Sequence, residues 1–469
     1  MEIVLIKALQ LIFCLSLLVF INEGGHFLFA KFSGVKVEKF YLFFNPYFHL
    51  FSTRDKWFTR LFPYFKDNET EYGIGWLPLG GYVSIAGMVD ETKSAEDIAA
   101  RAPEASDFNQ KPVWRRFLIM FGGVLFNLIA ALVIYTAIMY TWGREIIPMR
   151  NLPNGLNYNS IAHEIGFRNG DTPIRIDGME IEGYSGALMM DISEATTVTV
   201  LRDGKEVDID MPTEGVSLLE MQKAPQFFSI PIKPIVGEVA EGMPAEHYGI
   251  KTGDQILDID GTPTPDINDV TLELARRQDI IGAAGCTHED SIRALSLSIV
   301  ILPKNVATAD TISLTLGSDT RLGVLWDNTQ LTSIPTEHQT YTFLQSIPAG
   351  FKYAWETLSD YVISLKYLFN KEGVKQVGSF LTIGNLFPSA WNWHDFWGLT
   401  AFISIILAVM NILPIPGLDG GHIVLLLYEG IVGHQPSAKV MDIIEKIGLF
   451  LLFALMILAF SNDILRFFF

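Results

Sequence analysis

Four apolar stretches decide what this chain can be. Residues 3–30, 117–140, 397–413 and 443–460 each approach or exceed the roughly 18 to 20 residues a helix needs to cross a bilayer. Lipid offers no partner to a backbone N–H or C=O, so such a run satisfies its own hydrogen bonds as a helix. With 49% hydrophobic residues and a mean hydropathy of +0.29 over 469 residues, the chain reads as a membrane protein with room for soluble domains. The first stretch has no A-x-A-like cleavage site and carries Glu23 and His26, so it is read as a retained span, not a secretory signal. A net charge of −18 argues against nucleic-acid binding. Cys14 and Cys286 are too few and too far apart to make a disulfide framework or a cysteine metal site.

Basic residues near the span ends set the orientation. Lys31, Lys36 and Lys39 follow the first span and Lys111, Arg115 and Arg116 precede the second, which places the connection between them in the cytoplasm. The region from about 145 to 395 then lies outside, Lys439 and Lys446 agree, and both termini face outward.

The first span holds Asn22-Glu23-Gly24-Gly25-His26. On a helix, positions 22 and 26 project from one face toward a single point, with 23 beside them. With His at 22 this would be H-E-x-x-H, in which two imidazoles hold a zinc ion and the Glu takes a proton from metal-bound water. Glu23 and His26 are in place; the first ligand position holds Asn.

The aromatic stretch 37–65 is too interrupted to cross a membrane and reads as interfacial. Residues 71–91 alternate, with Pro78, Gly80 and Gly81 as turn residues, and predict a β-hairpin or a loop followed by a strand. Two readings stand for it: an ordinary surface hairpin, or an exposed strand edge able to pair with an extended peptide. In the second span, Gly122, Gly123 and Asn127 are unusual, and close helix packing accounts for all three.

The external region carries an internal duplication. Gly249, Gly253-Asp254 and Asp260-Gly261 are matched upstream by Gly166, Gly170-Asp171 and Asp177-Gly178. Residues 341–387 show apolar positions at helical spacing with charges opposite, which predicts an amphipathic helix on the outer membrane surface. The third span ends in Asn411-Ile412-Leu413-Pro414-Ile415-Pro416-Gly417-Leu418-Asp419-Gly420-Gly421-His422. A helix break at this depth is tolerated only inside protein or beside a wet cavity. An ionisable Asp419 there is a functional candidate partnered with the first-span site, against the plainer roles of pairing with Lys7 or capping a helix. His422 follows too closely to face the same point and is assigned a supporting position behind the ligand.

With E-x-x-H in the first span, PLGGYV at 78–83, Asn127, tandem repeats and N-x-x-P-x-P-x-L-D-G-G, the chain resembles the site-2 protease family of intramembrane zinc metalloproteases. Within it, the resemblance is to the RseP-type regulator-of-sigma-E proteases of bacteria. The repeats resemble PDZ domains of the bacterial protease-associated kind, the first copy degenerate. The resemblance implies an α-helical membrane protein with about four transmembrane helices, two extracytoplasmic PDZ-like β domains and a membrane-associated β-hairpin. It implies residues 1–30 as helix one, 31–112 as a cytoplasmic interfacial region, 113–143 as helix two, and PDZ-like domains at 144–225 and 226–330. A membrane-surface segment at 331–395, helix three with the LDG motif at 396–436 and helix four at 437–469 follow.

By the same resemblance the reaction is hydrolysis of a peptide bond in the transmembrane helix of a membrane-anchored, anti-sigma-factor-like substrate, in the bacterial inner membrane. Zinc falls to positions 22, 26 and 419 and the general base to Glu23. Substrate contacts fall to Pro78, Leu79, Gly80, Gly81, Tyr82, Val83 and Asn411, and Asn127 and His422 take supporting positions. The partners implied are that substrate helix, membrane lipid and a peptide ligand of the PDZ grooves, with rigid spacing or size exclusion as the other role for the PDZ-like domains.

Asn22 departs from this scheme at its centre, because a neutral amide oxygen is a poor zinc ligand beside imidazole. Three accounts follow: an altered active enzyme, an inactive relative that holds membrane peptides, or a weakened site completed by Asn22 or another residue.

Overall fold

The computed structural model describes residues 2–65, 68–78, 80–88, 102–152, 154–212, 216–222, 226–283, 285–327, 329–366, 374, 377–434 and 438–468. They form two compact units, one of Met1–Gly143 with Thr340–Phe469 and one of Arg144–Gln339.

Among the described residues the α-helices of the first unit are α1 (Glu2–Phe32), α2 (Lys56–Leu61), α3 (Val113–Thr141), α4 (Phe343–Leu365), α5 (Phe380–Leu386), α6 (Trp393–Ile412), α7 (Asp419–Val432) and α8 (Ala438–Phe468). Four windows are long and apolar enough to cross a membrane, in α1, α3, α6 and at Lys446–Leu465 of α8, as the hydropathy pattern predicts.

Glycine decides how α1 meets α3. A Cβ on Gly25 would collide with the Gly122 carbonyl, and one on Gly122 would lie 2.8 Å from the Gly25 carbonyl oxygen. The two backbones therefore touch, an approach that lipid-embedded helices reach only through small residues. Gly24, one position earlier, faces open space.

After α1 the chain builds a sheet from β1 (Val37–Leu42), β2 (Phe44–Ser52), β3 (Glu71–Leu77) and β4 (Tyr82–Ile85), ordered β2-β3-β1-β4. The hairpin expected within 71–91 does not form. β3 runs parallel to β1 and β4 antiparallel to it, so β1 separates them. The reason lies in β1, whose Tyr41 is buried and stacks on Tyr82 at 5.4 Å while its hydroxyl donates to Glu71 at 2.6 Å. That strand satisfies both neighbours, and β4 is left as an edge. Leu79 and residues 89–91 lie outside the described residues. Tyr47, Phe48, Leu50, Trp57, Leu61 and Tyr64 are all exposed, which suits the interfacial reading of the aromatic stretch.

Of the stretch 341–387, expected as an amphipathic helix on the membrane surface, residues 367–373, 375 and 376 lie outside the described residues. α4 packs along α3, with Gly350 against Thr136 and Tyr353 edge-on to Tyr135 at 4.9 Å. Its other side is not uniformly charged, since Phe343, Leu344, Phe351 and Trp355 are exposed. The start of α5 is held by α8: the fully buried Asp463 accepts hydrogen bonds from the backbone N–H groups of Ser379 (2.9 Å) and Thr382 (3.3 Å) and from both hydroxyls.

In the second unit the duplication is visible as equivalent topology. The first sheet orders Lys205–Asp210, Thr197–Arg202, Thr172–Ile176 and Met179–Glu180. The second has the same connectivity in Asp310–Thr315, Ser296–Leu302, Gln255–Ile259 and Thr262–Pro263. A helix, Leu188–Glu194, precedes the strand Thr197–Arg202 in the first copy, and two, Ile267–Gly282 and His288–Leu295, precede Ser296–Leu302 in the second. Matching aspartates do matching work: Asp171 accepts from the N–H of Arg168 and Asp254 from that of Lys251, both at 2.8 Å. Asp177 and Asp260 both take positive φ, 48° and 50°, before a glycine, and accept from Thr197 N–H and Ser298 N–H. Each copy buries its own apolar core.

The glycine crossing gives the first prediction. Gly25→Ala should destabilise the full chain in detergent by about 1–3 kcal/mol through overpacking. Gly24→Ala should leave the stability unchanged or raise it by up to about 1 kcal/mol. Equal melting curves for the two variants would refute the crossing.

Candidate metal centre

The residues singled out in the first and third spans meet. Asn22 and His26 share a face of α1, both buried, with Glu23 half-buried beside them. His26 Nε2 lies 3.3 Å from Asp419 Oδ2, across from the first residue of α7. His26 Nδ1 lies 2.9 Å from the carbonyl oxygen of Ile119 on α3. A carbonyl only accepts, so Nδ1 carries a proton and donates it. In the neutral ring Nε2 is then an acceptor facing a carboxylate, an arrangement that needs a cation, proton or metal, between the two.

The break after α6 delivers Asp419. Two prolines end the helix and Gly417 turns the chain at φ +88°. Short backbone bonds re-satisfy the freed groups: Leu418 N–H donates to Ile415 at 3.1 Å and Gly421 N–H to Leu418 at 3.0 Å. The segment folds so tightly over the start of α7 that a Cβ on Gly420 would collide with the Leu413 carbonyl, and one on Gly421 would lie 2.7 Å from that of Ile415. These contacts explain the two glycines after Asp419 on packing grounds.

The far end of α7 is clamped to α3. Arg116 donates to both carboxylate oxygens of Glu429, at 2.8 and 2.5 Å, and its Nε donates to the Lys111 carbonyl at 2.9 Å. In the sequence Arg116 serves only as an orientation charge, and nothing there marks Glu429 as its partner. The Ile119 carbonyl was equally invisible, because a backbone acceptor leaves no mark in the sequence.

Asn22 breaks the pattern. Its Nδ2 is buried without a hydrogen-bond partner. Across from it is Gly123, where a Cβ would lie 2.7 Å from Asn22 Nδ2 and would collide with His26 Nε2. The α3 backbone therefore lies directly against both side chains. The donor set is incomplete: His26 and Asp419 are strong zinc-ligand types, and Asn22 offers a neutral amide. Among the described residues, no group of three His, Cys, Asp or Glu is placed to hold a metal. The residues present therefore do not fit a resident zinc ion with three strong protein ligands.

The other expected site residues divide. Gly81 lies against α1, where its Cβ would come within 2.9 Å of Val19, one turn before Asn22. Tyr82 and Val83 follow it in β4, both buried, and Pro78 is exposed at the turn. Asn411 is half-buried in the last turn of α6. His422, in the first turn of α7, feels the charges of Asp419 and His26 without a hydrogen bond to either among the described contacts. Asn127 is fully buried, and its amide bonds neither His26 nor Asp419.

The clamp is testable. Glu429→Ala leaves the Arg116 guanidinium buried and unpaired, which should cost about 3–5 kcal/mol and lower the melting temperature. Arg116→Met with Glu429→Leu should recover most of the loss, and failure of the double variant to recover would assign the clamp a role beyond charge pairing.

A family profile, Peptidase family M50, matches residues 10–455. A Neisseria meningitidis protein provisionally named as a zinc metalloprotease is 28% identical over 98% of both chains. The regulator of sigma-E protease RseP of Escherichia coli is 26% identical over 97% of both chains. The regulator of sigma E protease of Haemophilus influenzae is 25% identical over 97% of this chain and 98% of its own. With four helices apolar and long enough to cross a membrane, a His26–Asp419 pair drawn from two of its segments, and a family profile spanning nearly its whole length, the chain belongs to peptidase family M50.

Proposed function

We propose that this chain is an intramembrane metalloprotease scaffold for regulated proteolysis of a membrane-anchored, anti-sigma-factor-like signalling protein, with its hydrolytic step impaired at Asn22. The observation that carries the reading is the 3.3 Å approach of His26 to Asp419 across the break, next to an amide where a third strong ligand belongs. With His in place of Asn22, positions 22, 26 and 419 would make the three strong ligands that a hydrolytic zinc site needs, and the metal would there supply a bound water of lowered pKa. Glu23, close enough to act electrostatically on His26, is the base of that set.

The substrate would enter as a helix and must unwind before an amide is open to attack. We place this step at β4, because Gly81, which leads into it, lies against α1 beside the site, where its Cβ would come within 2.9 Å of Val19. Pro78, Leu79, Gly80, Gly81, Tyr82, Val83 and Asn411 are its contacts in this reading. The paired β domains of the second unit are PDZ-like modules outside the bacterial inner membrane that admit trimmed substrates or hold peptide ends. Asn127 and His422 complete the surroundings of the site.

Zinc per chain, measured on this protein and on Asn22→His purified in parallel, tests the proposal. Near one zinc in the variant and little in the parent, with proteolysis of a membrane-anchored reporter appearing only in the variant, is expected; a loss of at least about 10-fold in affinity for the parent follows from the ligand change. Zinc in neither protein would overturn the metal site and leave a membrane receptor that holds peptides without cutting them. Equal zinc in both would overturn the impairment.

A further inference from the structure

Asn127 is the one side chain among the described residues with both amide atoms buried and without a hydrogen-bond partner. It is fully buried within α3, a helix apolar enough to cross a membrane. A polar group left unpaired in such surroundings is expensive, and its usual explanation is an absent partner. Its neighbours say where that partner belongs. Ile119, Gly123 and Asn127 follow one another at i, i+4 and i+8 along one side of α3. Ile119 accepts from His26, and Gly123 faces both Asn22 and His26. Asn127 is the next turn of that stripe. On its other side Ser404 of α6 donates to the Asn127 backbone carbonyl at 2.8 Å, which fixes the backbone while leaving the side-chain amide unused.

We propose that Asn127 binds the main chain of the unwound substrate segment, donating through Nδ2 to a peptide carbonyl and accepting at Oδ1 from a peptide N–H. The inference rests on the substrate reading above and deepens it. A helix opened inside lipid exposes N–H and C=O groups with no water to receive them. A primary amide carries one acceptor and two donor hydrogens, so it can meet both kinds of group, whatever the substrate's side chains are. The contact therefore depends on the main chain being open at that point. Asn127 is a positioning residue for the substrate and takes no part in bond cleavage.

Binding does not require the metal, so the full chain with Asn22 serves in the test as it stands. Two fluorescent 24-residue Leu/Ala peptides are titrated in detergent micelles, one with a central Gly-Ser-Gly interruption and one unbroken. Asn127→Leu should weaken the interrupted peptide about tenfold, the scale of one lost hydrogen-bond pair, and leave the unbroken peptide unchanged. Its melting temperature should stay level or rise, because an unpaired buried amide has been replaced by a side chain that suits apolar surroundings. Asn127→Gln should recover part of the affinity.

Unchanged affinity in Asn127→Leu, with good binding by the parent, would overturn the assignment to Asn127 alone. A marked fall in melting temperature would also overturn it, since the amide would then hold a structural water. No binding of either peptide by the parent would overturn it together with the substrate reading, which separates the two failures.

Discussion

The contact on which the first unit depends is the backbone approach of α1 to α3 at Gly25 and Gly122. It brings the Ile119 carbonyl to His26 Nδ1 and places Gly123 where any side chain would press on His26 and Asn22. Lipid supplies no hydrophobic drive for helix association, so van der Waals contact between small residues carries it. The same contact that holds the helices together also orients the imidazole. A bulkier pair would separate the helices and remove the acceptor that sets the tautomer.

Asp419 reaches His26 by a different route. α6 stops at two prolines, the chain doubles back over the start of α7, and the Arg116–Glu429 pair fixes the far end of α7 to α3. α3 thus presents the Ile119 carbonyl to α1 and, one turn earlier, the Arg116 guanidinium to α7, so both site elements are registered on one helix. This common reference explains how residues about four hundred positions apart meet within 3.3 Å.

Against this placement Asn22 stands out by its chemistry, a neutral amide beside an imidazole and near a carboxylate. Gly123 packs its backbone against both Asn22 and His26, and the Ile119 acceptor holds the imidazole. Asn22 Nδ2 is buried there without a hydrogen-bond partner, which costs stability.

Sequence alone determined the four spans, because apolar runs of bilayer length have one way to satisfy their backbone in lipid. It also determined the duplication, since Gly-Asp and Asp-Gly pairs recur where positive φ and backbone-capping carboxylates are required. His26 and Asp419 were legible as partners because ionisable groups at membrane depth need one. Tertiary structure alone decided that β1 separates the two strands read as a hairpin, because alternation within 71–85 specifies strands and says nothing of which neighbour wins the pairing. It alone revealed Ile119, Glu429 and the unpaired amide of Asn127. A carbonyl, a distant ion-pair partner and a missing hydrogen bond are properties of positions in space, and local sequence pattern carries none of them.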